Sequence, residues 1–535
     1  MKNRISFHSS FFLEEKMADS TTTSKSLLLE ACTDINVDIE IIKDLIEKGV
    51  DINLQDADGW TALFAACNDG NAQLTDILLN ADADPNISTN EGTWEGISPL
   101  MRASQTGNHE IVKLLIQKGA DVNKKDQDGW TALHWACDEQ RDGHDQVVDL
   151  LLQANADVNI CSTVAKLSPL MLACDDKFPQ AVKSLLDKGA DVNLQQEDGK
   201  TALYIACDHN EDEIVEMLLS SDADPNICTN EKTSPLIVAS QNGYGKIVQS
   251  LLKKDNISVD QQQDDGQTAL FIACDAHFGA ENSNWVVNML LDAKADPNIC
   301  TNEKTSPLIK ASEHGYCKII KNLLQKGANI DHQDEDGRTA LYVAINNSSG
   351  KAVDILLGAN ADPNLCNNEK KSPLMISSEE GYYSMLMQLL EKGAEINKQD
   401  ETGWTALYYA VYHEKNTEVD ILINANADVN ICTTENKSPL MSACEDGYYK
   451  IVKQLLRKGA DVTKRDGNGQ TAFAKAKENR HDTLLPMLID ANKGNKEEFK
   501  DQDLDSRVNH LFEKMVEMQD TIKSTHALLQ AKFSK

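Results

Sequence analysis

The residues of this 535-residue chain best able to do chemistry are its thirteen cysteines and twelve histidines. Thiolates in a Cys-x-x-Cys pair would hold zinc, a His-Glu-x-x-His helix would hold it for hydrolysis, and a cysteine beside a histidine would make a nucleophile. Neither metal spacing occurs, and no Cys/His/Asp cluster stands out. Nor is there a Walker loop, a Gly-x-Gly-x-x-Gly after a strand or a Gly-x-Ser-x-Gly elbow. The cysteines are periodic instead. Cys32, Cys67, Cys137, Cys174, Cys207, Cys274 and Cys444 recur at one helical slot, Cys161, Cys228, Cys300, Cys366 and Cys432 at a loop slot, and Cys317 alone stands outside both.

That periodicity points to the elements that carry it. The stretch 126–137, Asp-Gln-Asp-Gly-Trp-Thr-Ala-Leu-His-Trp-Ala-Cys, has near-copies whose Thr falls at 61, 131, 201, 268, 339, 405 and 471. A Ser-Pro-Leu version alternates with it strictly, at Ser98, Ser168, Ser234, Ser306, Ser372 and Ser438. The steps from one opening to the next are 33 residues, stretched to between 34 and 38 at four places. One unit reads physically as two helices. In the Ser98 unit, Ser98 caps and Pro99 occupies a first turn that needs no N–H, a first helix runs to Thr106 and closes at Gly107, and a second carries Ile111, Val112, Leu114 and Leu115 to Gly119.

A 33-residue period with a Thr-Pro-Leu-like opening is the signature of ankyrin repeats, and residues 25–493 resemble that family. The resemblance implies an all-α helical solenoid of about 13 repeats, with an N-terminal capping unit from Lys25 that lacks the Asp-Gly turn. It also implies that inter-repeat loops and first helices share a concave face on which partners bind. Side chains at the turn tips and just after the Leu-x step are expected to be exposed there.

Local rules agree with this reading. Each second helix should end in a left-handed residue, and the matching positions are Gly49, Asp82, Gly119, Asn155, Gly189, Asp222, Gly327, Asn360, Gly393, Asn426 and Gly459; the exceptions are Lys294 and the Ser234 unit, which has Lys254-Asp255-Asn256 there with one residue inserted. Ten of the twelve prolines fall in the Ser-Pro-Leu opening or an Asp-Pro-Asn loop. Pro179 fits a second-helix start, whereas Pro486 is expected to kink or end the second helix of the last repeat. Insertions at 90–97, with Trp94, and at 138–146 and 275–285 are expected to lengthen loops and turns, which costs little entropy.

Composition bounds function. A formal net charge of -33 disfavours nucleic acid and leaves basic or neutral protein segments as the preferred partners. No apolar run is long enough to span a membrane, and residues 1–12 fail as a secretory signal, so a cytoplasmic location is expected. Helices stacked 8–10 Å apart put equivalent cysteines of alternate repeats about 20 Å apart, too far for disulfides. They read as small residues in a reducing compartment. No cofactor, metal or catalytic residue is expected.

What remains is recognition. Trp60, Trp130 and Trp404 stand in the turns, and Trp135 and Tyr409 on first helices, where sister repeats have Ala65, Ile205, Ile272 and Val343. Aromatic anchors dominate interfaces, so these five are the partner-binding candidates. Trp130 with Trp135 forms the strongest pair; Trp60 and Trp404 equally fit covers for their own turns. His134 is expected to hydrogen-bond structurally. Turn carboxylates such as Asp56, Asp126 and Asp334 fit turn formers better than a steering edge. The resemblance also suggests hydroxylation of Asn123, Asn159 and Asn193, each in a Leu-x5-Asp-Val-Asn loop.

Residues 1–24 are polar and aperiodic, and read as disordered. Residues 494–535 read as a charged linker and a helix, with Leu504, Val508, Leu511, Met515, Met518, Ile522 and Leu529 on one face. Three heptads suit a coiled coil. Self-association through 504–533, a partner helix, and packing back on the last repeat all remain open. The expected function is a non-catalytic scaffold or adaptor. Its alternatives are the substrate-recognition subunit of a ubiquitin ligase or kinase complex, and a linker between cytoskeleton and membrane proteins.

Overall fold

The computed structural model describes residues 27–33, 39–90, 95–138, 140, 142–275 and 280–492. The disordered segment expected at 1–24, Trp94 and the helix expected at 504–533 lie outside the described residues. Within them stand 28 α-helices and no strand. They fall into two compact units, one up to Ala295 and one from Asp296.

Within each unit the same helix pair recurs. First helices are six to eight residues long, as in Pro99–Gln105, Ala202–Asp208 and Pro373–Glu380. Helices this short are not stable alone, so packing must hold them. Each packs against its own second helix and against the first helices of flanking repeats. Their Ala, Leu and Cys positions are almost wholly enclosed, as at Ala66, Cys67, Ala136, Cys137, Ala206 and Cys207. Burial pushes the Cys67 thiol up to about 12 and raises those of Cys137 and Cys207 as well, so these are inert core atoms.

Capping starts most first helices. The Ser98 hydroxyl accepts the Met101 N–H at 3.3 Å, and the Thr201 hydroxyl accepts the Tyr204 N–H at 3.2 Å. The left-handed stop follows second helices as expected at Asp82, Asn155, Asp222, Asn360 and Asn426, but not Gly245–Leu252, where Lys253 stays right-handed. Lys294 adopts it too, with φ of 68°, so position in the repeat overrides residue preference there.

Two expectations fail. Pro486 does not break a helix: a 3₁₀ turn, Asp482–Leu484, precedes the final helix Leu485–Asn492, which places Pro486 in a first turn where no N–H is needed. The insertion at 275–285 does not only lengthen a turn. It extends the second helix to Ala280–Asp292, 13 residues against the usual nine. Trp285 of that extension lies over Gly245, where a Cβ would come within 2.0 Å of the indole.

Candidate partner-binding face

The hairpin before each first helix is built on one side chain. In 126–130 the Asp126 carboxylate accepts the backbone N–H groups of Asp128 at 3.0 Å and Trp130 at 2.8 Å through Oδ1. Gly129, at φ of 79°, closes the turn. Asp56, Asp334, Asp400 and Asp466 repeat the arrangement. The Ser-Pro-Leu repeats reach the same hairpin with other residues. There the Thr229 and Thr301 hydroxyls accept the N–H groups of Thr233 and Thr305, and Lys232 and Lys304 hold the left-handed position where the sister hairpins have Gly.

Neighbouring hairpins are joined by backbone. Within the first unit Thr163 N–H donates to the Asp128 carbonyl and Asn230 N–H to that of Asp198, each at 2.8 Å. Within the second, Asn368 N–H donates to the Asp336 carbonyl at 2.8 Å. A parallel ladder runs through the loop asparagines. Oδ1 of Asn123, Asn159 and Asn193 accepts the N–H of Asp157, Asp191 and Asp224, each at 2.8 Å. The three asparagines suggested for hydroxylation are therefore exposed rungs of this ladder.

The aromatic candidates sit where hairpin meets first helix, in three clusters. Trp60 is half-buried, with its ring edge-on to Phe64 at 4.9 Å. Trp130 lies 4.9 Å from Trp135, and the Trp135 indole N–H donates to Asp126 Oδ2 at 3.0 Å. Trp404 packs at a steep tilt against Tyr408 at 4.6 Å and against Tyr409 and Tyr412 at 4.9 Å each. The Tyr409 hydroxyl donates to Asp400 Oδ2 at 2.7 Å. Trp135 and Tyr409 thus hold one repeat position and serve one carboxylate. Lys475 takes the same role in the last repeat, 3.2 Å from Asp466.

Here the structure corrects the expected exposure. The slot after Leu-x is mostly closed: Tyr409 is only 9% exposed, and Ala65, Ile205, Ile272 and Val343 are buried. The side chain there turns toward the hairpin carboxylate or the neighbouring helix. Exposure moves instead to Tyr412, 45% accessible at the end of the same helix, Ala406–Tyr412. Nothing in the repeat motif singled out Tyr412; its distance of eight residues from Trp404 was the available signal.

Charge differs between clusters. In the second unit the Lys371 ammonium lies 4.7 Å above the Tyr409 ring and pairs with Glu379, which also stands 3.6 Å from His413 Nε2. In the first unit Asp138, Asp175 and Asp176 gather at first-helix ends, where the helix dipole already disfavours anions. No Lys or Arg pairs with them among the described residues; His209 Nδ1 lies 3.5 Å from Asp175. Burial and the two neighbouring carboxylates push Asp176 up to about 6.

His134 is a tie between repeats. Its Nδ1 accepts the Thr131 N–H at 3.1 Å and its Nε2 donates to the Leu167 carbonyl at 3.1 Å in the next hairpin. Burial lowers it to about 4, so it stays neutral. All thirteen cysteines carry free thiols. No helix among the described residues is long and apolar enough to cross a membrane.

Alternating hairpins and stacked helix pairs, joined by side-chain ladders, define an α-solenoid of the interaction-module class. The family model for ankyrin repeats matches overlapping stretches from residue 28 to 466, and the chain belongs to the ankyrin-repeat family. It is 31% identical over 180 residues to ankyrin repeat domain-containing protein SAT10 of Stachybotrys chartarum, covering 34% of this chain and 9% of that protein. It is 25% identical over 455 residues to the transient receptor potential cation channel subfamily A member 1 of Homo sapiens, covering 84% of this chain and 32% of the channel. Palmitoyltransferase AKR1 of Lachancea kluyveri is 25% identical over 233 residues, 42% of this chain and 31% of the enzyme. This chain thus spans a third or less of the length of each of these three relatives.

Proposed function

We propose that this protein is a non-catalytic scaffold or adaptor that holds partner proteins on the strip where hairpins meet first helices. An ankyrin array implies protein–protein interaction; the location of the face is our own reading. The observation that carries it is the aromatic run Trp404, Tyr408, Tyr409 and Tyr412, in which Asp400 accepts from the Tyr409 hydroxyl and the Trp404 backbone N–H while the outer member, Tyr412, is open. Rigid, partly exposed aromatics bind at low entropic cost, because their rotamers are set before the partner arrives. Trp130 with Trp135 gives the first unit a comparable anchor on a first helix that ends at the Asp138 carboxylate, with which no Lys or Arg pairs among the described residues; this favours a basic segment there.

The test is quantitative affinity purification with the full chain, a Trp130→Ala/Tyr412→Ala variant and a Tyr449→Ala control at the start of a second helix. Proteins held by wild type and control but lost from the double variant support this face. If all three retain one set, binding lies elsewhere and the assignment of the face fails.

A further inference from the structure

Among the described residues, nothing covers one side of the last repeat. Phe473 occupies the position of Leu63, Leu133, Leu203, Leu270, Leu341 and Leu407, none of which is more than 1% exposed, yet it is 37% exposed. Ile489 matches Leu79, Leu152, Leu219, Leu291, Leu357 and Ile423, all 2–4% exposed, and is itself 42% exposed. Leu485 is half-buried where its equivalent Val419 is fully enclosed. Within each unit the next helix pair packs on the earlier repeats of this type; after Asn492 the repeat pattern stops.

A terminal repeat normally becomes polar on its outer face. Only part of that change has happened here. Lys477 replaces a slot that holds Cys67, Cys137, Cys207, Cys274, Ile345 and Val411, all 0% exposed. Phe473, Leu485 and Ile489 keep their apolar character on two helices that pack together. The chain that follows carries a matching surface: Val508, Leu511, Met515 and Met518 recur at steps of three and four residues, one face of a helix.

We propose that residues 504–529 fold back as an amphipathic helix and close the open face of the last repeat over Phe473, Leu485 and Ile489. Geometry permits it. The eleven residues 493–503 reach about 36 Å when extended, against a helix-to-helix step of about 10 Å. As a helix, the Val508 to Met518 portion would be about 15 Å long, enough to cover helices of seven and eight residues at about 11 Å each. So short a tether also gives an effective concentration in the millimolar range, which favours closure within one chain over pairing of two copies.

Hydrogen exchange on the full chain tests this, comparing wild type with Val508→Asp/Met515→Asp. That variant alters only the covering segment and leaves the repeats intact. Peptides from 472–478 and 485–492 should exchange about tenfold faster in the variant, while 406–412 and 416–424 stay unchanged, at every protein concentration over a roughly fiftyfold range. Equal exchange in both proteins overturns the proposal. Protection that grows with concentration overturns it in favour of a second copy as the occupant. Conversely, Phe473→Ala/Ile489→Ala should speed limited proteolysis within 504–529; unchanged cleavage there counts against closure.

Discussion

Acid should loosen the repeat that carries Trp130 and Trp135, through His134. The ring is wholly enclosed and its pKa is lowered to about 4, with burial the largest cause, against 6.5 for the free residue. Because the folded-state value is depressed, the folded chain binds fewer protons than the unfolded chain between these two values. The stability this histidine contributes is therefore present above pH 6.5 and lost as pH falls toward 4. Linkage gives about 1.3 kcal/mol lost between pH 7.5 and 5.5, and roughly 3.4 kcal/mol once both states are protonated. The assay is urea unfolding of wild type and His134→Gln at several pH values from 7.5 to 5.5, above the sequence pI of about 4.7. Indole fluorescence gives a local signal, since Trp130 lies 5.9 Å from His134. Wild type should lose about 1.3 kcal/mol more than the glutamine variant across that range. Parallel pH dependence in the two proteins, or a His134 resonance titrating near 6.5 in the folded chain, would refute the reasoning.

Three further outcomes follow from the same geometry. Asn159→Ala removes the acceptor for the Asp191 N–H and should cost about 1 kcal/mol in equilibrium unfolding, more than Asn→Ala at an exposed site outside the ladder. Asp176→Asn relieves repulsion from Asp138 and Asp175, so it should raise the melting temperature at pH 7.5. The raised carboxyl costs stability only when ionised, so this gain should shrink as pH falls through about 6 and vanish only below the unfolded value of 3.8; solvent screening keeps it below about 1 kcal/mol. Lys370 holds φ of 59° at its hairpin, so Lys370→Val should be less stable than Lys370→Gly by about 1 kcal/mol in thermal melts. For hydroxylation, peptide mass spectrometry of protein from oxygen-replete cells should find one added oxygen on Asn123, Asn159 or Asn193, and unmodified peptides at all three remove the suggestion.

Much of the fold was legible because ankyrin packing is local and repeated. Ser or Thr caps, prolines in first turns and left-handed stops are one-residue decisions, and thirteen openings let them be read against each other. Even Lys294, against its own preference, follows the repeat rather than the residue. The candidate face was legible only in part. Trp130 and Trp404 were chosen by residue type, but the burial of Tyr409 and the exposure of Tyr412 depend on how the hairpin carboxylate and the neighbouring Lys371 sit around one short helix. Pro486 was misplaced because a 3₁₀ turn, invisible to periodicity, delays the start of the last helix.

The sequence by itself determined the architecture: period, helix ends, hairpin chemistry and the alternation of two repeat types, each encoded within about 33 residues of chain. Tertiary structure decided what the surface offers. Whether an aromatic is open, whether a carboxylate is paired, and whether Phe473 and Ile489 lie bare all depend on the presence and side chains of the adjacent repeat. The physical reason is that exposure and ion pairing are properties of neighbours about 10 Å away across the stack, which a pattern along one strand of sequence does not encode.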